Sequence, residues 1–242
     1  MVPCLVTEHV AVYDDFLSVS DQLEIRRYLD SARFRRILPD AWGKAYRMAN
    51  GDPLVGIEVL SASRERDANQ HVYPTETALD LVIEGLLRAN LQISELLGEQ
   101  GKAWDYFTVC PYVYPAFSGL GWHSDPHSAG AFVYYVHETW GIHWGGELLV
   151  DDSGFPCPPA PVSSRGILRN EAMQTALRSG VGRYITPAPN RLVLLRGKTA
   201  HMIKNVEQAA GDHVRLSISG FFSSYADASP PRKAHPVAVP AP

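Results

Sequence analysis

Cysteine is scarce in this 242-residue chain. Its three cysteines (Cys4, Cys110 and Cys157) lie far apart and none belongs to a C-x-x-C pair. That excludes a disulfide framework and a thiolate zinc site, and it fits a reducing compartment. Long apolar runs are missing too: nothing approaches the roughly 18 consecutive apolar residues of a membrane span, so no membrane partner is expected. The N-terminal MVPCLVTEHVAVYDDF has no basic segment ahead of an apolar run, so it does not read as a secretory signal, and a cytoplasmic location is expected. Positive charge is not in excess either. The net charge is −4, with lysines and arginines scattered and no basic stripe interleaved with aromatics, which removes nucleic acid from the expected partners. What remains, 45% hydrophobic and 20% charged, is the composition of a globular domain with an ample core.

The chain divides by texture. SVSDQLEIRRYLDSARFRRIL (18–38) predicts a helix capped by Ser20 or Asp21, with Leu23, Ile25, Tyr28 and Leu29 on one side. PTETALDLVIEGLLRANLQISELLGE (74–99) predicts a second, opened by Pro74 and Thr75 and stopped by Gly98. From about residue 105 the pattern becomes short β-rich runs separated by glycine and proline: 105–113, 130–138, 146–152, 191–197 and 213–222. The expected fold is mostly β with flanking helices. Its core is a double-stranded β-helix (a cupin-like jelly roll), buttressed by N-terminal α-helices over about 15–100. A single domain over 1–228 is expected, with a β core at about 105–224. Residues 153–190 would form a lid-like insertion with a short helix at 170–180, and 229–242 a disordered tail.

Within GWHSDPH (121–127), His123 and Asp125 are two residues apart, which on an extended chain places imidazole and carboxylate on one face. A third ligand must come from elsewhere, and His201, beside the apolar run RLVLLRG, is the best candidate. Two histidines and one carboxylate leave open positions on an octahedral metal, a set that suits non-haem Fe(II) and disfavours structural zinc. In HVRLSISGFF (213–222), Arg215 sits in an apolar run and needs an anion. That anion is either an internal Asp or Glu or the carboxylate of a bound co-substrate.

These motifs, in this order, resemble the Fe(II)/2-oxoglutarate-dependent dioxygenases, specifically the prolyl 4-hydroxylase and EGL-nine-like branch. YVYPAFSGLGWHSD (112–125), FVYYVHETWGIHWGGELLV (132–150), PNRLVLLRGKTAHMI (189–203) and HVRLSISGFF carry the resemblance, over about 105–224. The resemblance implies His123, Asp125 and His201 as iron ligands, with Arg215 pairing the far carboxylate of 2-oxoglutarate and Tyr114 and Tyr135 reaching that same carboxylate. It implies Fe(II), with 2-oxoglutarate and O2 as co-substrates and ascorbate as an optional supporting reductant. An aspartate at 125 implies hydroxylation, or a related desaturation or cyclisation, over halogenation. Two spacings are longer than is usual in the branch, from Asp125 to His201 and from His201 to Arg215, the second across EQAAGD (207–212).

Other residues take structural expectations. His127 is a rival ligand but reads as a loop residue at the site mouth. His137 is expected to hydrogen-bond locally, His143 to be exposed, and Trp122, Trp140 and Trp144 to pack sheet ends. Gly145-Gly146 marks a turn needing positive φ, and Glu147 and Asp151-Asp152 read as solvated faces. The expected substrate is a small molecule, a free amino acid or natural-product intermediate. A peptidyl proline, or a non-redox cupin-like metal protein, are the alternatives. Oligomeric state is left open.

Overall fold

The computed structural model describes residues 2–37, 51–63, 70–125, 127–151 and 181–226. Its first half contains strands β1 (Pro3–Val6) and β2 (Val10–Tyr13), helix α1 (Val19–Ser31), the short strands β3 (Arg35–Arg36), β4 (Leu54–Val55), β5 (Val59–Leu60) and β6 (His71–Val72), and helices α2 (Leu79–Arg88) and α3 (Asn90–Leu97). The second half is β: β7 (Tyr106–Tyr114), β8 (Leu120–His123), β9 (Gly130–Tyr135), β10 (Leu148–Asp151), β11 (Gly182–Ile185), β12 (Leu192–Arg196), β13 (His201–Ile203) and β14 (Arg215–Ser223). The larger sheet runs β1-β2-β12-β9-β14-β7-β4-β3, with β5 joined to β7 and β6 to β5. The smaller runs β11-β10-β13-β8.

The uninterrupted apolar runs have a simple cause: the central strands of the larger sheet are covered on both faces. Leu192 and Leu194 of β12, with Phe132 and Tyr134 of β9 and Ile218 and Phe222 of β14, pack against Ile25, Leu79, Ile83, Leu86 and Ile93 of the helices. The alternate residues Val193, Leu195, Val133 and Tyr135 face Leu148, Val150, Ile185 and Ile203 of the smaller sheet. Helices, large sheet and small sheet are thus three layers, and the N-terminal helices cover the outer face of one sheet as expected.

Both helices are shorter than their periodicity suggests. Ser18, rather than Ser20 or Asp21, caps α1, its hydroxyl accepting from the Asp21 N–H at 3.1 Å. The helix ends at Ser31 because Arg35 and Arg36 pair with Val55 and Leu54 as strands instead of adding turns. The second begins at Leu79, not Pro74. The Asp80 carboxylate accepts from the Thr75 N–H, the Glu76 N–H and the Thr75 hydroxyl, holding that segment in a loop. It also breaks at Ala89, where α3 takes over, and stops at Gly98 with φ +90°. Pairing was likewise not anticipated for β1, β2, the short strands β3 to β6, or β11, whose residues 182–185 lay within the expected insertion but form an edge of the smaller sheet. The expected helix at 170–180, the remainder of that insertion and the tail at 229–242 lie outside the described residues.

Candidate metal centre

Antiparallel pairing assembles the cluster. β8 and β13 are neighbours in the smaller sheet, and His123 lies directly opposite His201, with a bulge in the pairing just after it. Their rings are 4.2 Å apart between centroids. His201 is not carried by the apolar strand that precedes it. The chain leaves β12 in the larger sheet, turns, and crosses to β13 in the smaller one. Asp125 lies two residues beyond the end of β8, in the loop that follows it. The candidate ligand atoms of His123, Asp125 and His201 all fall within 4.8 Å of one another.

Backbone carbonyls orient both imidazoles. His123 Nδ1 is 2.7 Å from the Gly121 carbonyl oxygen, and His201 Nδ1 is 2.9 Å from that of Thr199. A carbonyl can only accept, so in each neutral ring Nδ1 carries the proton and Nε2 presents its lone pair, the arrangement typical of metal-ligating histidines. His201 Nε2 then faces Asp125 Oδ2 at 3.5 Å. A lone pair opposite a carboxylate oxygen is repulsive unless a cation lies between them. The donor set therefore fits a divalent metal, and its two nitrogens and one oxygen fit Fe(II).

The opposite wall is built on the larger sheet. Arg215 is 0% exposed, and cross-strand register surrounds it with tyrosines: Tyr114 of β7 lies opposite Arg215, and Ser217 lies opposite Tyr112 on one side and Tyr135 of β9 on the other. The guanidinium donates Nε–H to the Gly146 carbonyl at 2.9 Å, Nη1–H to the Ser217 hydroxyl at 3.1 Å and Nη2–H to the Tyr135 hydroxyl at 3.3 Å. It lies 5.7 Å from the Tyr114 ring centroid and 4.9 Å from that of Tyr135. Among the described residues no carboxylate forms an ion pair with it. A fully buried cation held only by neutral groups is costly, and the arrangement fits an incoming carboxylate. Burial pushes the Tyr114 phenol up, with Arg215 opposing, so Tyr114 is a neutral hydrogen-bond donor. A cavity of about 70 Å³ joins the two walls, lined by Tyr112, Tyr114, His123, Asp125, His201, Arg215 and Ser217. A larger groove of about 490 Å³ opens elsewhere, among Arg33, Arg35, Glu58 and His71, but the converging ligands are in the smaller one.

All six candidate site residues thus gather around one cavity, Tyr135 through its bond to Arg215. No known family's sequence model matches the chain, and no characterised protein matches it in sequence. Solved structures do. The chain is similar to a prolyl-4-hydroxylase from Pseudomonas putida, at 18% identity and TM-score 0.55, over 89% of this chain and 93% of that one. It is similar to a prolyl hydroxylase from Trichoplax adhaerens in complex with a peptide of hypoxia inducible factor, at 14% identity and TM-score 0.61, over 91% and 86%. It is also similar to the epimerase SnoN in complex with Fe3+, alpha ketoglutarate and nogalamycin RO, at 14% identity and TM-score 0.52, over 89% and 79%. The chain has the jelly-roll fold of the 2-oxoglutarate oxygenases.

Within this fold other residues around the cavity take their places, some as the sequence led one to expect and some not. Gly146 seats Arg215: its carbonyl accepts from the guanidinium, its φ is +72°, and a Cβ there would lie 2.9 Å from Arg215 Cδ. Ser217 is a second neighbour of the guanidinium, and the period-2 alternation of β14 from Arg215 is the signal that points to it. Glu147 and Asp151, expected on a solvated face, are 8% and 6% exposed. Glu147 is sunk between sheet and loop, with Lys204 Nζ 3.9 Å away, and Asp151 closes the end of β10, so strand alternation alone misjudged them. Asp152 lies outside the described residues. His127 is exposed in the loop after Asp125, and His143 is exposed as well. His137 donates Nε2–H to the Pro187 carbonyl at 2.6 Å, and burial depresses its pKa to about 4, so it is neutral. Burial pushes the Cys110 thiol up to about 12, which removes it as a nucleophile.

Proposed function

We propose that the chain is a single-domain Fe(II)- and 2-oxoglutarate-dependent dioxygenase that hydroxylates an unactivated C–H bond of a small molecule, a free amino acid or natural-product intermediate. One observation carries the assignment: two imidazole Nε2 atoms and a carboxylate converge on one enclosed point, with an uncompensated buried guanidinium on the facing wall. His123, Asp125 and His201 would hold the metal, which with 2-oxoglutarate and O2 supplies the oxidative decarboxylation and C–H hydroxylation that release succinate and CO2.

The protein's own part is positioning. Arg215 would take the far carboxylate of 2-oxoglutarate, with the Tyr114 and Tyr135 hydroxyls completing its hydrogen bonds. Gly146 and Ser217 hold the guanidinium in place, so little side-chain entropy is lost when the acid arrives. The apolar side chains between the sheets, Leu120, Leu148, Ile203 and Val133, exclude water from the reacting centre. Ascorbate would act as a supporting reductant. The epimerase of similar fold, in complex with nogalamycin RO and alpha ketoglutarate, supports a small substrate. The peptide-bound prolyl hydroxylase supports a peptidyl proline as the second reading.

Anaerobic addition of Fe(II) and 2-oxoglutarate tests the assignment. A weak visible charge-transfer band is expected, lost in Arg215→Ala, and absence of the band from the unaltered protein rejects the iron and co-substrate reading in favour of a non-redox metal protein. A succinate-release screen over amino acids, proline-containing peptides and nucleosides, followed by mass spectrometry for one added oxygen, then identifies the substrate.

A further inference from the structure

One strand carries the cavity from its sealed end to its mouth. Along β14 alternate residues face opposite ways. Ile218 and Phe222 pack against the helices, so Arg215, Ser217, Ser219 and Phe221 face the smaller sheet, and all four line the cavity that holds the candidate metal ligands. Burial falls along this row. Arg215 is 0% and Ser217 1% exposed, whereas Ser219 and Phe221 are only partly buried. The cavity is therefore closed at the Arg215 end and reached by solvent at the other.

The hydroxyls of the row differ in the same way. Ser217 accepts from the Arg215 guanidinium and belongs to the anchor. Ser219, about 7 Å farther along the strand, forms no side-chain hydrogen bond among the described residues. Its neighbours across the pairing are Cys110 of β7 and Val133 of β9, so it interrupts an apolar row where a hydroxyl brings no packing advantage. Charge in the cavity is already committed. Among the described lining residues the ionised groups are Arg215, which the co-substrate would take, and Asp125, which with the two histidines would take the metal. Burial pushes the Tyr112 and Tyr114 phenols up, so both are neutral. A carboxylate or ammonium brought in by the prime substrate would be desolvated there without an opposite charge to meet it.

We propose that Ser219 is a specificity-determining residue whose hydroxyl hydrogen-bonds the prime substrate, and that the part of the substrate entering the cavity is an uncharged aliphatic group bearing a hydroxyl or amide. Charged groups of the same molecule stay outside the mouth. A serine hydroxyl both donates and accepts, so it serves either neutral partner. The inference rests on the iron and 2-oxoglutarate reading above and narrows the substrate. A free amino acid would be oxidised far out on its side chain, not beside its ammonium or carboxylate.

The first test needs no substrate. Ser219→Cys is treated with methyl methanethiosulfonate, alone and with Mn(II) and 2-oxoglutarate bound, and adducts are counted by mass spectrometry against the unaltered protein. One additional adduct is expected, formed at a rate that the bound co-substrate leaves unchanged. No additional adduct, or protection by 2-oxoglutarate, overturns the proposal. The second test uses the iron-loaded protein and the aliphatic L-amino acids, each beside its N-acetyl methylamide, with succinate release and mass spectrometry of the product. Hydroxylation is expected at a side-chain carbon away from any charged group, with the uncharged derivative accepted as well as the free amino acid. Ser219→Ala is expected to lower kcat/KM roughly three- to tenfold, the loss of one neutral hydrogen bond, and to raise the succinate formed per hydroxylated product. Ser219→Thr should keep both near their original values, and 2-oxoglutarate affinity should be unchanged in each variant. Hydroxylation next to a carboxylate or ammonium overturns the proposal, as does Ser219→Ala with kcat/KM and product ratio unaltered. Absence of the charge-transfer band from the unaltered protein is a different failure, that of the iron reading itself.

Discussion

Replacing Arg215 by methionine separates a binding role from a structural one, because the two predict opposite changes. A carboxylate bound by this guanidinium gains two charge-assisted hydrogen bonds, each worth about 1.5–3 kcal/mol. Their loss should weaken 2-oxoglutarate binding by roughly 10²- to 10⁴-fold. Without ligand the balance differs. The substitution leaves the Gly146 carbonyl without its partner, at about 1–3 kcal/mol, while the hydroxyls of Ser217 and Tyr135 can rotate. Against this, it removes a fully buried charge that no described carboxylate neutralises, relieving a desolvation penalty of several kcal/mol. The ligand-free melting temperature should therefore stay within a few degrees of the original. Calorimetric titration with 2-oxoglutarate, using Mn(II) as a redox-inert metal, and thermal denaturation of the metal-free protein give the two numbers. A large fall in melting temperature with 2-oxoglutarate affinity changed less than about threefold would refute the reasoning and make Arg215 a core strut.

Three further outcomes are expected. His201→Ala should abolish stoichiometric binding of Fe(II) or Mn(II), measured by metal analysis after desalting, while leaving the circular dichroism spectrum of the sheets unchanged. His137, with its pKa depressed by burial to about 4 from 6.5, binds fewer protons folded than unfolded between those values. Its contribution is intact above about pH 6.5 and is lost as the pH falls toward 4, by about 3 kcal/mol. Urea midpoints of His137→Gln, which keeps a donor for the Pro187 carbonyl, should show correspondingly less loss over that range. Asn190 holds the start of α1 to the sheet: its side-chain oxygen accepts from the Leu17 N–H and the Tyr134 hydroxyl, its amide donates to the Leu17 carbonyl, and its φ is +58°. Asn190→Ala should cost about 3 kcal/mol, and a drop in melting temperature under about 3 °C would contradict that.

The strand-rich half was legible because its central strands are buried on both faces and therefore read as unbroken Val, Leu, Phe and Tyr runs. The short pairings were not: β3 to β6 are two residues each, and local composition carries no signal for a partner distant in the chain. Helix ends escaped for a related reason. The Asp80 carboxylate can hold Thr75 and Glu76 in a loop only through side-chain bonds that periodicity does not express. At the site, residue chemistry spoke for itself in His123, Asp125 and Arg215, whose types are expensive or purposeless in apolar strands without a ligand.

Which residues are present to bind was therefore decided by the linear order of amino acids. How they meet was decided by the pairing of β8 with β13 and of β14 with β7 and β9, which sets His201 opposite His123 and rings Arg215 with tyrosines. The part Gly146 plays toward Arg215 exists only there, because a carbonyl has no direction until non-local hydrogen bonds fix the register.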